Sequence, residues 1–274
     1  MKRARVLFVS QEITPYLPET EMSKIGRYLP QGIQEKGREI RTFMPKYGCV
    51  NERRNQLHEV IRLSGMNLII NDTDHPLIIK VASIQSARMQ VYFIDNEDYF
   101  QRKFILTDEN EKYFEDNDER AIFFARGVLE TVRKLRWSPD IVHCHGWITA
   151  LVPLYLKKAY HDDPLYYNSK VIYSVYNDYF ENTLGRNFVK KLLVEGITKE
   201  DVSKLEKPNY ENLTRLALDM ADATIIGSRE INKNIMKYIK SIQIPVLEYQ
   251  EEDLYINAYS DFYDQILATR VDEA

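Results

Sequence analysis

Glycine is scarce in this chain: 10 residues in 274, against 19 tyrosines. Loops that present bare backbone amides to phosphate are usually rich in glycine. Neither a GxGxxG nor a GxxxxGK[ST] string is present, which counts against a conventional nucleotide cradle and a bound cofactor. Cysteine is scarcer, with only Cys49 and Cys144, far apart in sequence. No Cys or His spacing fits a structural zinc site, so no metal is expected. No apolar run approaches the ~18 residues a membrane span requires. The opening "MKRARVLFVS" is basic, but its apolar run is too short for a signal-peptide core and soon meets Glu12. A reducing cytoplasm is therefore the expected location. Positive charge is not in excess either. The net charge is −4, with 28% charged residues, and that argues against a nucleic-acid surface, which needs clustered Lys and Arg.

Hydrophobic residues make up 44% of the chain, ample for a core. "RVLFVS" (5–10) reads as a buried strand. After a loop with Pro15 and Pro18, the spacing of Ile25, Leu29 and Ile33 predicts a helix from about 22 to 36, stopping at Gly37. "EIRTFMP" (39–45) is the next strand. This opening βαβ unit is the mark of a doubly wound parallel sheet. Strands are expected at 77–82 and 89–95, a helix over 119–135, a strand at 140–144, a helix over 149–159 and a strand at 170–177. A helix at 212–221, a strand at 223–228 and a helix at 229–239 follow. Residues 180–211 are ambiguous and fit a short helical insertion over the sheet edge. In "EEDLYINAYSDFYDQIL" (251–267), Leu254, Ala258, Phe262 and Ile266 recur at i, i+4, with Tyr255, Tyr259 and Tyr263 alongside. That predicts a helix with an aromatic face, followed only by a few polar residues. Residues 1–240 read as one α/β unit, and 241–274 as a connector and a helix packing back on it.

Five stretches carry a family resemblance. They are "EITPYLPETEMSKIGRYLP" (12–30), "YFQR" (99–102) with "DNDERAIFFARG" (116–127), "PDIVHCHGWITALVPLYLK" (139–157), "SVYN" (174–177) and "NLTRLALDMADATIIGS" (212–228). In this order they resemble the N-terminal lobe of bacterial glycogen synthases and plant starch synthases. The matching family strings include E-V-A-P-F-A-K-T-G-G-L-A-D-V-V-G-A-L-P, P-D-I-V-H-A-H-D-W-H-T-A-L-V-P-L-Y-L-K and T-I-H-N. The resemblance implies a doubly wound, mostly parallel Rossmann-like sheet with helices on both faces, one lobe of a GT-B-type glycosyltransferase. The reaction it implies is glucosyl transfer from ADP- or UDP-glucose to an α-1,4-glucan. Open sheets of this kind place their sites at the carboxyl ends of strands. Mapped residue by residue, the resemblance marks Tyr99, Arg102, His145, Trp147, Thr149, Tyr176 and Asn177 as candidates for a glycan cleft.

The departures from the family strings gather at the chemistry. Pro18, Thr20 and Glu21 stand where the family has its lysine and paired glycines, and Lys24 stands at the family's aspartate. Gly146 and Ile148 replace Asp and His of H-D-W-H, and Tyr176 replaces His of T-I-H-N. A carboxylate at position 21 repels a pyrophosphate, and Pro18 removes an amide donor. The chain also ends soon after the first lobe, so the C-terminal nucleotide-sugar lobe is expected to be missing. The tail helix then resembles the one that in GT-B enzymes returns from the second lobe to the first. The expectation is a pseudoenzyme, catalytically inactive alone. The alternatives are an α-glucan- or maltooligosaccharide-binding module, a regulatory or interaction protein (a homodimer or a complex with a partner protein), and a divergent transferase completed by another polypeptide.

Blander readings stand beside these. His143 and His145 are expected to alternate to opposite sides of their strand, one hydrogen-bonded in the core and one lining a polar cleft. Trp147 suits packing as well as a sugar platform. Tyr99 and Arg102 suit holding a loop together. Cys144 reads as an inert buried thiol, and Glu21 with Lys24 as a solvated i, i+3 pair.

Overall fold

A computed structural model describes residues 3–269. Residues 1–2 and the last polar residues, 270–274, lie outside the described part. The chain runs β1 (Arg5–Ser10), α1 (Glu21–Glu35), β2 (Glu39–Pro45), β3 (His58–Glu59), β4 (Met66–Ile70), β5 (Thr73–Ile84), β6 (Met89–Asp95), α2 (Glu97–Phe100) and α3 (Asn117–Lys134). It continues with β7 (Ile141–His145), α4 (Leu151–Lys157), β8 (Lys170–Val175), α5 (Phe188–Leu192), α6 (Tyr210–Asp219), β9 (Ala223–Ile226), α7 (Lys233–Ile239), β10 (Val246–Leu247) and α8 (Tyr255–Ala268).

The sheet order is β10-β9-β8-β7-β1-β2-β6-β5-β3, with β4 paired to β5. From β10 to β6 every pairing is parallel, while β5 is antiparallel to β6, β3 and β4. The first strand therefore lies inside the sheet, between β2 and β7. Its residues alternate between two cores, as a pleated strand buried on both faces requires. Leu7 and Val9 meet the layer that contains α3, α4, α6 and α7. Val6 and Phe8 meet α1 and α8. Helices thus cover both faces.

The start of α1 explains itself locally. Thr20 accepts a hydrogen bond from the Ser23 amide at 3.0 Å, and Ser23 Oγ accepts one from the Thr20 amide at 2.8 Å. This reciprocal cap satisfies two donors that a helix end would leave idle. Met22, Ile25, Leu29 and Ile33 then turn inward, and the helix ends ahead of Gly37, whose φ is +89°.

The tail helix differs from its expected pattern. Leu254 is exposed, and the inward stripe is Tyr255, Tyr259, Phe262, Tyr263 and Ile266. The tyrosines are the buried face and not its flank, because α8 lies on a sheet face that supplies polar partners among its apolar groups. Residues 180–211 form α5 and a 3-10 turn at 203–206, packed against α3 and α6. Helix α7 starts later than expected, at Lys233, because Asn232 caps it through the Asn234 and Ile235 amides. Among the described residues, no helix is long and apolar enough to cross a membrane.

Candidate functional site

The parallel strands β1, β7 and β8 lie side by side, so their carboxyl ends bring Gln11, His145–Thr149 and Tyr176–Asp178 together. His143 and His145 do not face opposite sides. Residues two apart on a strand share a face, and the two imidazole centroids lie 3.9 Å apart, both rings fully buried beneath α1 and α8. His143 Nδ1 is 2.6 Å from the Tyr263 hydroxyl of α8, and its Nε2 is 2.7 Å from Ser174 Oγ. His145 Nδ1 is 2.8 Å from the Tyr176 hydroxyl. Its Nε2 has no hydrogen-bond partner among the described residues. Burial holds both imidazoles neutral. It lowers His145 to about 3, and it lowers His143 well below its usual range with a further push from its neighbour.

The loop after β7 is locked by side chains. The Trp147 amide donates to Asp178 at 2.7 Å, the Ile148 amide to Gln11 Oε1 at 3.1 Å, and the Thr149 hydroxyl to the Gly146 carbonyl at 2.7 Å. Tyr210 donates its hydroxyl to Asp178 at 2.9 Å. Burial pushes the Asp178 carboxyl up to about 6, although those two donors favour its charged form. Gly146 has φ +87° and ψ 162°, a conformation essentially reserved for glycine. A Cβ there would lie 2.8 Å from Met22 Sδ and 2.9 Å from Gln11 Oε1. An aspartate here would have to displace the tips of Met22 and Gln11 and adopt the strained positive φ.

Of the seven glycan-cleft candidates, Tyr99, His145, Trp147, Thr149 and Tyr176 are buried, Arg102 is half-buried and Asn177 is exposed. A stacking platform must present a face to solvent, and the indole of Trp147 packs instead on Phe180, 4.8 Å between centroids. Tyr99 and Arg102 lie apart from the other five. Tyr99 donates to Glu119 at 2.8 Å and sits 2.9 Å from His75 Nε2, while Arg102 pairs with Asp116. Buried Arg120 joins these two stretches by donating to the Tyr99 carbonyl at 2.8 Å and to Asn117 at 2.6 Å. YFQR and DNDER thus grip one another. Cys144 is buried and its thiol is pushed up by desolvation.

Three of the replaced positions, Thr20, Glu21 and Lys24, gather at the start of α1. Glu19, Thr20, Glu21 and Lys24 line a cleft of 340 Å³ with Tyr249, Gln250 and Glu252 from the segment leading into α8 and Tyr255 at its start. Lys24 pairs with Glu19 at 3.9 Å, not with Glu21 as its i, i+3 spacing suggests. Thr20 also donates to Glu12 at 2.8 Å. The sequence reading missed Gln11 and Asp178. Asp178 directly follows SVYN, and a carboxylate next to a site string was the available signal. Among the described residues, no three His, Cys, Asp or Glu side chains cluster to hold a metal ion.

Comparison with known proteins places this geometry. The family model described as the starch synthase catalytic domain matches residues 5–244. A glycogen synthase of Chlorobium limicola is 38% identical over 195 residues, which cover 71% of this chain and 40% of that protein. One from Pelodictyon phaeoclathratiforme is 37% identical over 234 residues, covering 85% and 47%. The chain spans less than half the length of these relatives. The catalytic domain of starch synthase IV from Arabidopsis thaliana, solved with ADP and acarbose, superposes with a TM-score of 0.67 at 18% identity. It covers 82% of this chain and 45% of that one, a likeness of fold.

Proposed function

The chain belongs to the starch synthase catalytic-domain family, and from that premise we propose that these residues keep the scaffold of a glucosyl-transfer lobe without the means to handle a nucleotide-sugar diphosphate. The observation that carries this reading is the start of α1. A helix N-terminus draws anions through its unpaired amides and its dipole. Here Thr20 and Ser23 cap each other, and the adjoining cleft holds three carboxylates, Glu19, Glu21 and Glu252, against the single ammonium of Lys24. Stabilising a leaving diphosphate is a large part of the barrier lowering in such transfers, and this cleft opposes it. The neutral, buried histidines support the same reading, since neither ring presents an acid or a cation to a cleft.

The test is transfer of labelled glucose from ADP-glucose or UDP-glucose to maltoheptaose by the purified chain, with calorimetric titration of each ligand. The expected result is no transfer. Transfer, or nucleotide-glucose binding that changes when Glu21 or Lys24 is replaced, overturns the reading. A second reading, recognition of an α-glucan, is favoured by another cleft. Asn71, Asn182, Thr183 and Asn187 line a 700 Å³ space with Tyr113 and Phe114, and amides beside aromatic faces suit sugar hydroxyls and C–H groups. It predicts maltoheptaose binding with no dependence on nucleotide. If both titrations are silent, the remaining reading is an interaction partner or homodimer, seen as a mass that rises with concentration.

A further inference from the structure

At the opposite end of the strands, the amino ends of β1, β2 and β6 lie next to one another. There Arg3, Arg38, Arg41 and Arg88 line one cleft of 640 Å³. The single carboxylate among its lining residues is Glu39, held by Arg5 at 3.1 Å and by the Trp137 indole N–H at 2.6 Å, with Arg41 Nη2 at 4.0 Å. The lining thus carries three net positive charges in a chain whose total is −4. Like charges gathered from four separate points of a sequence repel one another. Asp264 offsets Arg38 from outside the lining and Glu39 lies beside Arg41, while Arg3 and Arg88 add charge that no carboxylate of the lining offsets.

The arginines are also under-used. The Arg38 side chain is 9% exposed, and its Nη2 serves the Ser260 carbonyl at 3.0 Å and Asp264 at 2.8 Å. Its Nη1 is buried with no hydrogen-bond partner among the described residues, and the same holds for Arg41 Nε. Buried donors are nearly always paired, and an idle one is costly. Guanidinium groups match phosphate oxygens in number and plane. The site is a recess and not an extended stripe, so its occupant is small.

We propose that this cleft binds a small phosphate-bearing anion, held by Arg38, Arg41 and Arg88. Because Arg38 also grips α8 through Ser260 and Asp264, the occupant secures that helix as well. The test is calorimetry on the intact chain with inorganic pyrophosphate, and with citrate as a carboxylate anion of comparable charge. The expected result is saturable pyrophosphate binding that falls about tenfold or more in Arg88→Gln and in Arg38→Gln, as loss of a charge-assisted hydrogen bond implies. Arg186→Gln, beyond the carboxyl end of β8, should leave it within about twofold. Arg88 is exposed, so its replacement does not endanger folding if Arg38→Gln does. No saturable binding, equal binding of citrate, or an equal loss in Arg186→Gln overturns the proposal. Nucleotide-glucose binding that depends on Arg88 would report this cleft, whereas dependence on Glu21 would report the start of α1.

Discussion

The histidine pair makes stability depend on pH in a way that can be worked out. Both rings are buried and stay neutral in the folded chain. In the unfolded chain each titrates near 6.5. Folded values depressed below the unfolded one mean that the unfolded state binds more protons as pH falls through 6.5. Stability is therefore lost below that value and is flat above it. One pH unit below 6.5, each histidine costs between about 1 and 2 kcal/mol, roughly 3 for the pair. The size does not depend on how far the folded values are depressed, because both rings are still unprotonated there. Asp178, raised to about 6, works in the opposite sense, and a variant comparison cancels it. Urea unfolding is measured for the native chain and for His145→Asn at about pH 8 and about pH 5.5. The native chain should lose more stability between the two than the variant, by about 1 to 2 kcal/mol. Equal losses would mean that His145 is charged or solvated when folded, and the reasoning would fail.

Three further outcomes follow from the same region. Gly146→Asp, which places the family-string residue there, should cost about 1 to 3 kcal/mol in urea unfolding, from the φ +87° backbone; an unchanged stability would show that the loop relaxes. Tyr263→Phe should cost about 1 to 3 kcal/mol by leaving His143 Nδ1 unpaired, and an unchanged midpoint would remove that hydrogen bond from the account. Iodoacetamide should label the native chain once, at exposed Cys49 and not at buried Cys144, as peptide mass spectrometry would show.

Much of this architecture is legible in periodicity. The strand at 5–10 and the helix after it are local matters of apolar spacing, and their bounds fall within a residue of expectation. The family strings identify the lobe because long ordered blocks survive even where single site residues have changed. What the chain order hides is contact across distance. Trp147 and His145 look like site residues in sequence, yet α8 and the loop near Phe180 bury them. Met22 filling the space beside Gly146 joins positions far apart. So does the arginine cleft, whose members lie at 3, 38, 41 and 88 and meet only once three strands are aligned. The error over His143 and His145 is different in kind: the two-residue period was there to be used, and it puts them on one face.

The position of β1 bears on how the molecule is made. It precedes every other described strand of this sheet in chain order, and it ends up in the interior of the sheet. Its partner on one side arrives promptly as β2. The other, β7, is separated from it by 135 residues at the Arg5–Asp140 hydrogen bond. At usual rates of synthesis that is a wait of roughly ten seconds, during which an apolar strand has one open flank. In a nascent chain with this arrangement, that flank has no strand partner on the β7 side until β7 emerges.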